Sequence, residues 1–176
     1  MLSRNRQAKL NIIIGGGSGF AGQALASSLR GQGHGVTIIS GSPSDHATLE
    51  PSHLTWEDIE RDGLPPSTDA VINLAGSNMG KSQQLWACKY MQECVVSRAG
   101  TTTLLAQAIA HSQHPPSVSI STSPVGFYPA SKGDAYEETA MVSDRDCAKS
   151  VMIPRRASHA SDAANRGVRG VALSLH

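Results

Sequence analysis

The stretch NIIIGGGSGFAGQALASSLRGQG, residues 11–33, changes its period halfway along. Residues 10–14 form a short run, apolar except for Asn11, that ends in Gly15, Gly16 and Gly17, the pattern of a strand buried on both faces of a parallel sheet. From Gly19 onward Phe20, Ala21, Ala24, Leu25 and Leu29 recur at helical spacing, until Gly31 and Gly33 stop the pattern. A second β-branched run, residues 36–39, follows at once. A strand, a tight turn, a helix and a second strand in that order predict a βαβ unit.

Inside this unit, residues 16–22 match GxxGxxG. Such a turn uses its first glycine to bend tightly, its second to let the backbone approach a pyrophosphate, and its third to bring the helix close to the sheet. The helix N-terminus adds free N–H groups and a partial positive charge. A glycine motif alone says little, but one that follows a strand and opens a helix predicts dinucleotide binding. Gly16, Ser18, Gly19, Phe20 and Gly22 are the expected cofactor contacts, with Ser40 at the end of the second strand. That strand ends Ser40-Gly41-Ser42, with no acid to hold the ribose 2′-OH of NAD and with Asp45 too far along. The missing acid favours NADP over NAD, although no nearby Arg supplies charge for a 2′-phosphate.

The alternation continues. Residues 69–74 and 117–122 read as strands, residues 85–110 as a long helix, residues 53–56 as a weak strand, and residues 168–175 as a final apolar run. The predicted fold class is α/β, a Rossmann doubly wound parallel sheet with flanking helices, whose ligand crevice lies at the carboxyl ends of the strands. Residues 1–9 read as a flexible tail and residues 10–176 as the one domain. Between residues 123 and 165 the glycines and prolines are frequent, and any helix over 144–165 would break near Pro154.

Composition narrows the function classes. Fifteen Lys plus Arg against fourteen Asp plus Glu in 176 residues give no electrostatic footprint for nucleic acid or anionic lipid. No run reaches the length of a membrane span, and the opening MLSRNRQAKL, despite Arg4, Arg6 and Lys9, reads as a solvated tail rather than a targeting signal. Cys88, Cys94 and Cys147 lack metal or disulfide spacing, which fits an intracellular compartment, cytoplasm or organelle matrix. His111 and His114, placed on one helix face by their spacing, read as cations at a helix C-terminus, not as metal ligands. A small-molecule substrate is expected, of unknown identity, and the oligomeric state stays open.

Together with the glycine turn, NLAG at 73–76, SRAGTTTLLAQAIA at 97–110 and STSPVGFYP at 121–129 make the chain resemble the extended short-chain dehydrogenase/reductases. Trp56, Trp86, Ser97 and Arg98 point more closely to their atypical epimerase-like branch, family 39U. The resemblance implies an NADP-dependent oxidoreductase with a Rossmann domain followed by a smaller substrate domain. Most of that second domain is missing from these 176 residues, so the chain reads as truncated and its sheet as incomplete at the C-terminal end, with an exposed edge. It also implies cofactor contacts from Asn73, Ala75 and Gly76, and from Thr122 near the nicotinamide. Three positions depart from the family pattern: Gly41 stands where it has Arg, Ser77 where it has Glu, and no Trp-Glu pair occurs around Arg155-Arg156.

Reductases of this superfamily use a Tyr-x-x-x-Lys pair, in which the lysine lowers the tyrosine pKa for proton transfer while a Ser or Thr holds the substrate oxygen. Tyr128-Pro-Ala-Ser-Lys132 has that spelling, but Pro129 and Gly133 argue for a loop, and the two side chains meet only on a helix. If the chain is catalytic, Tyr128 is the available acid and Ser123 or Thr122 the oxygen donor. The alternatives are a non-catalytic NADP-binding or interaction module and a truncated inactive form.

Overall fold

A computed structural model describes residues 8–41, 52–76, 88–123 and 167–174. In chain order the elements are β1 (Asn11–Gly15), α1 (Phe20–Gly31), β2 (Gly35–Ser40), β3 (His53–Thr55), α2 (Trp56–Asp62), β4 (Ala70–Asn73), α3 (Cys88–His111), β5 (Val118–Ser123) and β6 (Arg169–Ser174). The strands form one six-stranded sheet in the order β3-β2-β1-β4-β5-β6, and every neighbouring pair is parallel. The final apolar run becomes β6, which pairs with β5 from Val118↔Arg169 to Ser123↔Ser174 and forms one edge of the sheet.

Successive side chains of a strand point to opposite faces, and both faces here are aliphatic. Ile12 and Ile14 of β1, Val36 and Ile38 of β2 and Ala70 of β4 share one face with Ala26 of α1, and Leu25 and Leu29 pack against them. Ile13, Ile39 and Val71 occupy the other face with Ile59 of α2, Leu64, and Leu105, Ala108 and Ile109 of α3. Each fully buried aliphatic side chain contributes about 1.5–3 kcal/mol, so the two layers hold the sheet from both sides. The helical series expected from Phe20 through Leu29 is only partly the packed one. Its Leu25 and Leu29 are half-buried, the buried residues of α1, Gly22 and Ala26, lie outside it, and Phe20 stands at the first turn and is 96% exposed.

The helix α2 was not expected from apolar periodicity, because only Ile59 of its seven residues is buried. Its start is set by a capping box: Thr55 Oγ1 accepts the Asp58 N–H at 3.1 Å, and Asp58 accepts the Thr55 N–H at 2.8 Å. The Thr55 N–H and the Thr55 hydroxyl both donate to Asp58 Oδ2 and hold its carboxyl below the usual carboxylate range. Arg61 bonds Asp58 at 3.0 Å and Asp62 at 2.7 Å and lowers the Asp62 carboxyl in turn. Helix α3 ends at His111, whose Nδ1 lies 2.8 Å from the Gln107 carbonyl. His114 falls beyond the helix, so the two histidines do not share the helical face that their spacing suggested.

Candidate functional site

The strand order reverses between β1 and β4, and a crevice opens at such a switch point beyond the carboxyl ends of the strands. Its floor is the glycine turn. The Gly16 N–H donates to the Ile39 carbonyl at 2.9 Å, the Gly19 N–H returns to the Gly16 carbonyl at 3.1 Å, and the Leu74 N–H donates to the Gly15 carbonyl at 2.8 Å. Gly16 has φ +74°, which L side chains rarely adopt, and a Cβ there would stand 2.8 Å from the Ala75 backbone.

Two more glycines are demanded by space. A Cβ at Gly22 would lie 2.5 Å from the Gly16 carbonyl oxygen and 2.6 Å from Gly17 Cα, so helix and turn touch backbone to backbone. A Cβ at Gly17 would lie 2.6 Å from the Ile38 side chain, a requirement the GxxGxxG spacing does not contain. Gly19 differs: it is exposed, caps α1, and a Cβ there would meet only the Gly16 oxygen at 3.3 Å. The first bond into the helix is from the Gln23 N–H to the Gly19 carbonyl, so the N–H groups of residues 20–22 have no partner within the helix. They form the electropositive end of α1 beside an exposed glycine, a surface suited to an anion. Ser18 supports the turn through its carbonyl, which accepts from Gln23 Nε2 at 2.9 Å.

The wall of the crevice comes from the end of β4. Asn73 is buried, and its amide is used twice: Nδ2 donates to Thr102 Oγ1 at 3.0 Å, and Oδ1 accepts the Ala75 N–H at 3.0 Å. Thr102 Oγ1 in turn donates to the Arg98 carbonyl at 2.7 Å, and Thr122 Oγ1 donates to the Asn73 carbonyl at 3.2 Å. Asn73, Thr102 and Thr122 thus tie β4, α3 and β5 together and turn residues 75–76 toward the glycine turn. Gly76 is exposed, and the Arg98 guanidinium covers it so closely that a Cβ would lie 2.8 Å from Nε. No local motif marks Arg98 apart from the family resemblance; the fold places its charge beside the crevice. Trp56, at the start of α2, similarly covers Gly15.

Of the residues expected at the site, the turn and the Asn73–Gly76 wall meet around the crevice, and buried Ser40 ends β2 beside them. Thr122 and Ser123 end β5, with the Thr122 hydroxyl engaged internally. The buried Ser121 Oγ has no hydrogen-bond partner among the described residues. Tyr128 and Lys132, as well as Asp45, Ser77, Trp86 and the Arg155-Arg156 pair, lie outside the described residues.

The parallel sheet with helices on both faces and a glycine turn at the switch point defines a Rossmann-like α/β protein. Within that class the chain belongs to the NAD dependent epimerase/dehydratase family, whose family model matches residues 12–174. It is 38% identical over 129 residues to the mouse epimerase family protein SDR39U1, covering 73% of this chain and 42% of that protein. Against the human epimerase family protein SDR39U1 the identity is 36% over 137 residues, covering 78% and 44%. The crystal structure of the human protein (isoform2) with NADPH superposes with a TM-score of 0.79 at 32% identity, covering 93% of this chain and 52% of that one. The UDP-glucose 4-epimerase from Brucella ovis, solved in complex with NAD, shares the fold at a TM-score of 0.71 and 20% identity. The resemblance to the epimerase-like 39U branch is borne out, and the chain spans less than half the length of the curated relatives it matches.

Proposed function

We propose that this chain binds NADPH in the crevice between β1 and β4, as the NADP(H)-binding portion of an oxidoreductase or epimerase-like protein. The observation that carries the reading is the contrast within the glycine turn: Gly16, Gly17 and Gly22 are packed against neighbouring chain, while Gly19 is open to solvent at the N-terminus of α1. Gly19 and the adjoining N–H groups would take the pyrophosphate, with Gly16, Ser18 and Phe20 along its path and Gly22 holding the helix in place. Ala75 and Gly76 would form the wall against the cofactor, positioned by Asn73 and Thr122, and Ser40 would face the adenosine end. The NADPH in the crystal structure of the human relative supports this choice of cofactor, with NAD the weaker candidate.

Bound NADPH would supply a hydride for a carbonyl or related carbon. Ser123 would then orient the substrate oxygen, since the Thr122 hydroxyl is engaged by Asn73, and Tyr128 would deliver the proton. Pro129 sits between Tyr128 and Lys132, which favours a second reading in which the chain binds the dinucleotide without catalysis.

Calorimetric titration with NADPH and NADH tests the binding claim. Saturable NADPH binding, weaker NADH binding, and a loss of about tenfold or more in Gly19→Ala with an unchanged melting temperature are the expected results. No binding by the folded chain would sink it. NADPH oxidation across a panel of carbonyl compounds, abolished in Tyr128→Phe, separates the enzyme from the binding module.

A further inference from the structure

Gly19 joins the glycine turn to α1, and its own backbone does not require a glycine. Its φ of −73° and ψ of 168° suit any residue, and a Cβ there would meet only the Gly16 carbonyl oxygen, at 3.3 Å. What a glycine adds at such a joint is freedom: the peptide between Ser18 and Gly19 can rotate with little steric resistance on the Gly19 side.

That peptide is nonetheless held at both ends. The Gly19 N–H donates to the Gly16 carbonyl at 3.1 Å, and the Ser18 carbonyl accepts from Gln23 Nε2 at 2.9 Å. With Gly19 as the N-cap of α1, Ser18 is the residue before the cap and Gln23 the fourth of the helix. Those are the two positions that a hydrophobic staple joins in other helices, and here a carbonyl and an amide join them instead. Rotation of the peptide would break both bonds and swing a carbonyl oxygen among the N–H groups of residues 20–22, where it would repel an anion. Gln23 is exposed and belongs to neither core layer, so its amide serves the turn and not the packing of α1.

We propose, resting on the NADPH reading above, that Gln23 is a positioning residue for the cofactor. Its side chain latches the Ser18–Gly19 peptide in the orientation that keeps the pyrophosphate cradle lined by donors. The glycine spacing does not contain this latch, because Gln23 follows the last glycine of the motif.

The test is Gln23→Met, which keeps the side-chain length and helix preference and removes the donor. NADPH affinity, read by calorimetry, should fall about three- to tenfold, the range that one net hydrogen bond supports, with the melting temperature unchanged. Hydrogen exchange of the Gly19 amide in the apo chain should quicken by a similar factor. Gln32→Met is the control: it removes an exposed amide bond to Ser28 Oγ at the other end of α1 and should leave affinity and Gly19 exchange as in the parent. The proposal is overturned if Gln23→Met binds NADPH like the parent, if its melting temperature falls in step with its affinity, or if Gln32→Met weakens binding equally. Unchanged Gly19 exchange in Gln23→Met overturns the latch alone. A folded parent that does not bind NADPH overturns the cofactor reading and the role of Gln23 with it, so the two failures are distinct results.

Discussion

Helices α1 and α3 meet opposite faces of the sheet, and Gly22 of the first and Gly100 of the second are under contrary demands. At Gly22 the helix backbone rests on the glycine turn, and a methyl group would fall 2.5 Å from the Gly16 carbonyl oxygen. At Gly100 a methyl group would meet nothing within 4 Å, because α3 is held to the sheet by Leu105, Ala108 and Ile109 and by the Thr102–Asn73 hydrogen bond. The first turns of α1 dock by main chain, and α3 docks by its side chains. A glycine is therefore a requirement of the first and a cost to the second.

The sharpest break in that contrast would come from Gly22→Ala, which should destabilise by about 3 kcal/mol through overpacking and abolish NADPH binding. Thermal melts check it, and a variant melting with the parent would mean that α1 can lift away from the turn. Next in size is Thr102→Val, which removes the Thr102 acceptor from the buried Asn73 Nδ2 and should cost about 1–2 kcal/mol. Thr101→Val is its control: among the described residues the Thr101 hydroxyl bonds to the Ser97 and Arg98 carbonyls of its own helix, so denaturant midpoints should barely move. Thr55→Ala removes the cap of α2 and should cost about 1 kcal/mol. The partner in that cap adds a pH dependence. Asp58 has its pKa lowered in the folded state, so its contribution is present at neutral pH and is lost as the pH falls below about 4. Asp58→Asn should flatten that acid limb in a stability profile, and an unchanged limb would assign it to other carboxylates. Smallest and opposite in sign, Gly100→Ala should stabilise by about 0.5–1 kcal/mol in the same melts.

Where a single local stretch carried the instruction, the fold was legible. Residues 11–40 contain their own period change and punctuation, and β4, α3 and β5 each carry an apolar run or helical series of ordinary length. Helix α2 escaped because Ile59 is its one buried residue; its legible signal was the Thr55-x-x-Asp58 box, not hydrophobicity. Phe20 fits the helical series by spacing, yet it sits on the first turn, ahead of the part of α1 that reaches the sheet. The site divides similarly. Gly16, Gly19 and Gly22 follow from the motif, whereas Gly17 depends on Ile38 of the next strand, and Asn73 on Thr102 across 29 residues. Such contacts exist only after the strands are ordered side by side, and no spacing rule contains them.

The all-parallel pairing also has a kinetic consequence. Every neighbour in the sheet is reached through a crossover, so each pairing waits for a loop to close, at an entropic cost that grows slowly with its length. The β1–β2 ladder begins at Asn11↔Gly35 and closes a much shorter loop than Ile12↔Ala70 of β1–β4. The βαβ unit can thus form early, but Gly16 gains its neighbour Ala75 only when β4 arrives. In a refolding experiment, cofactor capture would accordingly time the arrival of the fourth strand rather than the birth of the glycine turn.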